Sequence, residues 1–322
     1  MKKILLLPLL LLALACKDSK DKRTLLDSTG KINDISVIID NSLWEGRVGE
    51  AIRDVLASPI YGLPIEEPTF NINQIPPSVF SGFIRMNRTL LKIELEKPNS
   101  ITFKDNIYAR PQKVITVSGE KREDIIKLLK DNASRIIETF KNIELKEKQR
   151  LMRKVLYMGK DIKENLGVDI EFPSFYRIAK KEDSFFWIRR DINTGSLNLM
   201  VYELPLKRIQ RHDSVINEIV KIRDSIGQKY IPGPVDGSYM ITEYKYTPFH
   251  SETILDNKPA LETKGLWDVK NAFMSGPYIN YAIEDKINNR WIIAEGFTFA
   301  PSVEKRDFMF ELEAIIKTIK ID

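Results

Sequence analysis

The single cysteine of this chain, Cys16, constrains the fold more than any other residue. No second cysteine occurs in 322 residues, so no intramolecular disulfide can stabilise the protein. Cysteine nucleophiles and cysteine-based metal sites are excluded from the part that follows residue 16 for the same reason. The chain must therefore fold around hydrophobic cores, and its hydrophobic content of 43% is ordinary for a globular protein.

An apolar run ends directly before this cysteine. Two lysines at positions 2 and 3 precede residues 4–15, which are apolar throughout. The run is too short to cross a bilayer core of about 30 Å, but it has the length of the apolar part of a signal peptide. Its end, Ala13-Leu14-Ala15-Cys16, resembles a bacterial lipobox, which implies cleavage after Ala15 and lipid on Cys16. The alternative is an ordinary cleaved signal peptide with an incidental cysteine.

Residues 16–31 are predicted to form a flexible tether, because they are charged and contain too little apolar surface to offset the entropy of ordering. We expect an exported protein that is held by this lipid in the cell envelope. The expected location is the outer membrane, with its periplasmic and surface faces both open. The net charge of +5 comes from interspersed acidic and basic residues, so no nucleic-acid partner is expected.

The first half of the folded part is predicted to contain short strands and amphipathic helices. Apolar residues at helical spacing from Trp44 to Leu56 predict one helix. A charged stretch with an apolar face predicts a longer helical region over residues 120–158, with a break near Asn142. The predicted strands cover residues 35–39, 70–75, 79–84, 90–95 and 114–117.

The second half is predicted to be richer in strands. A helix capped by Asp213 or Ser214 runs to Ile226, and Ser302 is expected to cap a final amphipathic helix. The predicted strands cover residues 185–189, 197–204, 239–246, 259–267, 278–284 and 290–298, the last two as a hairpin.

Consecutive strands with helices at the margins predict an α+β fold, with antiparallel sheets flanked by helices and two subdomains. We place the signal peptide at 1–15, the lipidated tether at 16–31, an N-terminal domain at 32–160 and a C-terminal domain at 161–322.

No catalytic residue, metal ligand or cofactor is predicted. The two histidines, His212 and His250, are far apart in sequence, and a metal site formed by them with Glu252 is a minor alternative. The run from Ser302 to Lys305 matches S-x-x-K, but the partner motifs of acyl enzymes are absent. A glycan hydrolase needs two carboxylates across a cleft, and most such side chains are solvated instead. The candidates are Asp191, Asp236, Glu262, Asp268, Glu284, Asp285 and Glu295.

Two loops combine aromatic and polar residues in a way that suits a contact surface for protein or carbohydrate. They span residues 230–239 and 267–278. The alternative is that their aromatic side chains pack on the sheet. The candidate contact residues are Tyr230, Asp236, Tyr239, Trp267, Asp268, Asn271 and Tyr278.

Several segments resemble an uncharacterised lipoprotein family of Bacteroidetes, a domain of unknown function, and the resemblance covers nearly the whole chain. It implies an envelope location and no catalytic residues. We expect a non-enzymatic envelope component that binds another protein and contacts the membrane through lipid on Cys16. The alternative is a glycan-binding protein or a hydrolase of peptidoglycan or polysaccharide. The segments are residues 75–80, 186–191, 229–240, 262–285 and 295–319.

Overall fold

The computed structural model describes residues 25–322, so the predicted signal peptide and Cys16 lie outside the described residues. The α+β class is confirmed: the chain forms an N-terminal unit and a C-terminal unit, each a sheet with helices packed on it. Among the described helices, none combines the length and the apolar character that crossing a bilayer requires.

The N-terminal unit is built on a five-stranded sheet of order β2-β1-β3-β5-β4. It departs from the expected antiparallel pattern, since β1 is parallel to β2 and β3, and β3 is parallel to β5. Parallel neighbours need a crossover connection, and helices supply it between β1 and β2. The strands are β1 Asp34–Ile38, β2 Asn71–Ile75, β3 Thr89–Leu95, β4 Ser100–Asp105 and β5 Lys113–Gly119.

Four helices belong to this unit: α1 Asn41–Trp44, α2 Arg47–Leu56, α3 Arg122–Asp131 and α4 Ala133–Met152. The last three cover one face of the sheet. The predicted break near Asn142 is wrong, because α4 is continuous through that position. The break lies at Asn132, between α3 and α4, where the Asn132 side-chain amide donates to the Leu128 carbonyl at 2.9 Å.

The strand predicted over residues 79–84 is also wrong. Two 3₁₀ turns, Pro77–Val79 and Gly82–Met86, occupy this segment. Pro77 fixes the first turn, and Gly82 takes a left-handed φ of 50° that a strand does not allow.

The C-terminal unit contains an eight-stranded sheet whose pairs are all antiparallel, as predicted. Side chains alternate along the strands, so two separate cores form on the two faces, one under α6 and one under α7. The strands are β7 Arg177–Glu182, β8 Phe185–Ile192, β9 Gly195–Pro205, β10 Tyr239–Thr242, β11 Phe249–Leu255, β12 Lys258–Lys270, β13 Ser275–Asp285 and β14 Arg290–Phe299. The helices are α5 Asp161–Leu166, α6 Val215–Tyr230 and α7 Arg306–Ile316, and a small pair joins β6 Val168–Asp169 to β15 Lys320–Ile321.

The start of α7 is held by the N-terminal unit. The predicted cap, Ser302, lies before the helix, which begins at Arg306. The buried carboxylate of Glu67 accepts hydrogen bonds from the backbone N–H groups of Lys305 at 2.8 Å and Arg306 at 2.7 Å. An anion at a helix N-terminus is stabilised by the unpaired N–H groups and the helix dipole. This contact fixes the position of α7 relative to the N-terminal unit.

Residues 25–31, the described end of the predicted tether, follow the surface of the N-terminal unit. The Arg110 N–H donates to the Leu26 carbonyl at 2.9 Å, and the Thr29 N–H donates to the Met86 carbonyl at 2.9 Å. These backbone bonds compensate for the low apolar content that led to the tether prediction. The ordered part of the chain therefore begins before residue 32.

Replacing Glu67 tests whether the two units are held together at α7. We expect Glu67→Ala to lower the free energy of unfolding by about 2 kcal/mol, because it leaves buried N–H groups unpaired at the helix start. Urea denaturation followed by circular dichroism measures the change. The neighbouring Glu66 is exposed and provides a matched control, for which Glu66→Ala should change stability by less than about 0.5 kcal/mol. Equal effects of the two substitutions would contradict this role of Glu67.

Candidate functional site: a cavity between the two units

Three of the predicted contact residues lie in the core and cannot form a surface. Tyr230 stacks on Phe185 with ring centroids 4.0 Å apart, and the Trp267 indole donates to a backbone carbonyl at 3.2 Å. Tyr278 is 1% exposed and lies 3.9 Å under the guanidinium of Arg223. The rings of Trp267 and Tyr278 point inward with the alternation of their strands, and the ring of Tyr230 points inward from the end of α6. This is the packing alternative that the sequence left open.

The other four predicted contact residues lie at one end of the C-terminal sheet. Asp236 and Asn271 are exposed in turns, whereas Tyr239 and Asp268 are half-buried on paired strands. Lys270 donates to the Tyr239 hydroxyl at 3.0 Å. Without the three buried aromatic residues, these four do not form the aromatic surface that was predicted from the sequence of the two loops.

The two histidines are not neighbours of a common site. The His212 imidazole lies 3.1 Å from Glu218, and that of His250 lies 3.3 Å from the Thr263 hydroxyl. In residues 25–322, no group of three or more histidine, cysteine or acidic side chains is arranged to hold a metal ion.

A cavity of about 410 Å³ lies between the two units. This volume is within the range of known small-ligand pockets, about 300–1,000 Å³. The loop after α2, residues 58–63, forms one wall together with α4, and β11, β12, β13 and α7 form the other. The wall is predominantly apolar, and its apolar side chains are Ile60, Leu63, Phe70, Ile137, Ile279, Met309 and Phe310.

Two aromatic side chains that line this cavity are exposed to solvent. Tyr61 is 65% exposed and Phe249 is 41% exposed, and their rings stack with centroids 4.3 Å apart. The adjacent Gly62 N–H donates to the Tyr246 hydroxyl at 3.1 Å, which holds the loop in place. Since Tyr61 belongs to the N-terminal unit and Phe249 to the C-terminal unit, the pair joins both sides of the cavity. We call it the Tyr61–Phe249 pair.

Charged side chains line the cavity in compensated pairs. Lys141 of α4 lies 2.8 Å from Glu313 of α7, and Lys264 lies 2.6 Å from Glu262 on the same strand. The hydroxyl of Tyr281 donates to Glu262 at 2.5 Å and lies 3.4 Å from Glu313. The two carboxylates therefore share one hydroxyl group and each has its own ammonium partner.

These neighbours keep the carboxylates ionised. Burial alone would raise the pKa of Glu313, but the ammonium groups of Lys141, Lys264 and Lys317 outweigh burial and lower it to about 2. Burial also opposes ionisation of Glu262, and Lys264 lowers the pKa of this carboxyl below its usual value. Burial lowers the pKa of Lys141, but the attraction and hydrogen bond of Glu313 together with the attraction of Glu262 outweigh burial, so the pKa is raised. Fixed charges that balance one another suit binding, and they leave no protonated carboxyl group as a proton donor.

Most of the aromatic and charged residues described at this site are absent from the predicted site residues, namely Tyr61, Lys141, Phe249, Lys264, Tyr281 and Glu313. Only Glu262 was among the candidate carboxylates. The one available signal was the α7 sequence FMFELEAII, in which two glutamates interrupt an otherwise apolar helix. A helix that is apolar on all sides is normally buried, so acidic residues within it require cationic partners from neighbouring elements.

The low pKa of Glu313 links this site to acid stability. A carboxyl whose pKa is lower in the folded state than in the unfolded chain stabilises the fold above its unfolded value of 4.5. That stability, about 3 kcal/mol for this shift, is lost as the pH falls toward 2. We therefore expect Glu313→Gln to lose less unfolding free energy than the wild type between about pH 5 and pH 2.5. Urea denaturation across this range measures both curves, and parallel curves would contradict the assignment.

No curated protein sequence matches the chain. The solved structure titled "Crystal structure of LpqN involved in cell envelope biogenesis of Mycobacterium tuberculosis" is similar with 13% identity and a TM-score of 0.28, over 48% of this chain and 82% of that chain. A similarity at that TM-score supports no inference about function.

Family models match both halves of the chain. Residues 28–153 match the model described as Domain of unknown function (DUF8532). Residues 156–318, half of the chain, match a second model. On this second match, the chain belongs to the family described as Domain of unknown function (DUF4837).

Proposed function

We propose that this protein is a lipid-anchored component of the cell envelope that binds another envelope protein at the cavity between its two units. The observation that carries the proposal is the exposed Tyr61–Phe249 pair at a cavity of about 410 Å³. Large aromatic side chains beside a pocket are typical of binding surfaces, because they lose apolar contact with water when a partner covers them.

The character of the cavity wall favours a protein over a glycan. Sugars are held by hydrogen bonds to many hydroxyl groups, whereas the lysines and carboxylates here are already paired with one another. An apolar wall with satisfied charges suits an apolar or aromatic side chain of a partner. Among the strands of residues 25–322, the adjacent strand β11 pairs only with β12. Its free edge is available to an extended segment of the partner.

The state of the cavity carboxylates argues against glycan hydrolysis at this cavity. A glycosidase needs one carboxylic acid whose pKa is raised, so that it can protonate the leaving oxygen. Glu262 and Glu313 share the Tyr281 hydroxyl, but the pKa of each is lowered. Two ionised carboxylates with lysine partners do not supply this proton.

The anchor is proposed from the sequence, through the apolar run before Cys16 and its resemblance to a lipobox. The proposal includes the outer membrane as the location and the lipoprotein family of Bacteroidetes as the group of origin. Several acyl chains on one cysteine hold a protein at a bilayer far more firmly than one chain does.

Changing Cys16 tests the anchor. We expect the wild-type protein in the membrane fraction and Cys16→Ala in the aqueous fraction, because the variant has no thiol to carry lipid. Fractionation of cells, followed by detection of a C-terminal tag, measures the distribution. Retention of Cys16→Ala in the membrane fraction would contradict lipid anchoring through this residue.

Photo-crosslinking in living cells tests the binding surface. A photoreactive phenylalanine analogue at Phe249 should crosslink to one defined protein, because that side chain lies at the cavity. The control position is Ile287, which is 87% exposed in the turn between β13 and β14, outside the cavity lining. The same analogue at Ile287 should not give this product.

The identified partner then allows a direct measurement. We expect Tyr61→Ala to weaken its binding by about 30-fold, the effect of removing one aromatic hot spot. Isothermal titration calorimetry measures this change, with Ile287→Ala as a variant that should bind normally. Crosslinked product on glycan alone, or equal products at Phe249 and Ile287, would overturn the protein-binding proposal.

A further inference from the structure

Four exposed apolar side chains lie on adjoining segments of the N-terminal unit, away from the cavity. Phe83 is 83% exposed, Leu26 64%, Val79 50% and Ile107 42%. Single exposed apolar residues are ordinary, but several on neighbouring segments mark a contact surface. None of them lines the cavity described above. We call these four residues the Phe83 surface.

Hydrogen bonds and ring contacts join the segments that carry the Phe83 surface. The Gln112 amide donates to the Arg85 carbonyl at 2.7 Å, and the Arg85 guanidinium donates to the Phe80 carbonyl at 3.0 Å. The rings of Phe80 and Tyr108 meet edge to face with centroids 5.7 Å apart. Leu26 is joined to the same group through its carbonyl, which accepts from Arg110. The Phe83 surface is therefore held by a fixed framework.

The same segments carry a positive charge. Within residues 25–31, 79–87 and 104–113, basic side chains outnumber acidic ones. Arginines beside exposed apolar residues are typical of surfaces that lie at a membrane, where the charge meets anionic headgroups and the apolar groups enter the interface. The basic residues are Lys31, Arg85, Lys104, Arg110 and Lys113, and the acidic residues are Asp27 and Asp105.

The chain between the Phe83 surface and the proposed anchor is short. Nine residues of chain lead from Cys16 to Leu25, and an extended chain of that length spans at most about 30 Å. Just after Leu26, the chain is fixed in the protein: the buried Arg88 donates to the Lys31 carbonyl at 3.0 Å and to Glu144 at 2.8 Å. The anchored bilayer must therefore lie near the end of the N-terminal unit that carries the Phe83 surface.

We propose that the Phe83 surface rests on the lipid surface to which Cys16 anchors the protein, with anionic headgroups facing Arg85 and Arg110. This inference rests on the lipid anchor of the proposed function. It adds an orientation: the N-terminal unit contacts the bilayer with one defined surface, and the apolar side chains of that surface are shielded there from water.

Fluorescence in vesicles tests this orientation with the mature, lipidated protein. The Cys16 thiol is consumed by lipid, so Phe83→Cys introduces the only free thiol of the chain, which takes a polarity-sensitive fluorophore. The control is Ile287→Cys, at an exposed position in the other unit. In vesicles of phosphatidylethanolamine and phosphatidylglycerol, we expect the label at position 83 to be quenched by a lipid-borne nitroxide. Aqueous iodide should quench it about threefold less than the label at position 287.

Charge reversal provides a second measurement. Arg85→Glu combined with Arg110→Glu should raise iodide quenching at position 83 toward the level at position 287, because the anionic surface then repels this end of the protein. Protein that floats with the vesicles but shows equal iodide quenching at both positions would overturn this inference alone. Protein that fails to float would overturn the lipid anchor, and this inference with it.

Discussion

The interaction on which the two-unit arrangement depends is the burial of carboxylates around α7 against positive partners from the other unit. The Glu67 carboxylate accepts hydrogen bonds from the backbone N–H groups at the start of this helix. Within the helix, Glu311 pairs with Lys148 of α4, and Glu313 pairs with Lys141 of α4. A buried carboxylate carries a large desolvation penalty, which these lysines of α4 offset together with Arg190 and Lys317 of the C-terminal unit itself. The apolar face of α7 adds contact with the C-terminal sheet. The cavity lies beside these contacts, with Lys141 and Glu313 in its wall.

The sequence predicted those parts of the fold that local pattern determines. The hairpin of β13 and β14 follows directly from periodicity, because one face of each strand must be buried. The same reasoning predicted α6, although the helix continues past the predicted end at Ile226 to Tyr230. Periodicity failed where local backbone chemistry decides the structure. The segment after Pro76-Pro77 has apolar residues at strand spacing, yet proline and a left-handed glycine turn it into 3₁₀ structure. Parallel pairing in the N-terminal sheet was missed because it depends on how helices connect the strands and not on the strands themselves.

The site itself was not predictable in this way. Lys141 occurs in a charged helix among many other lysines, and only the position of α7 selects it as a partner of Glu313. Tyr61 lies in an irregular loop and Phe249 begins a strand, and their stacking depends on the arrangement of two units distant in sequence. Aromatic residues near predicted loops were candidates for a contact surface. Composition does not distinguish a ring that packs inward, such as that of Trp267, from a ring that remains exposed. That distinction is made by tertiary packing.

The place of α7 in the chain has a consequence for biogenesis. Translation delivers the polypeptide from its N-terminus, and units formed first can acquire their own cores before later segments are available. Helix α7, Arg306–Ile316, comes late in the chain. It follows the N-terminal sheet and its helices, the loop that bears Tyr61 and the strand that bears Phe249. The binding cavity is therefore completed only when α7 docks against Glu67, after nearly all of the other elements have been delivered. If the protein binds a partner as proposed, a partner that recognises the assembled cavity would distinguish completely folded molecules from those in which α7 has not yet docked.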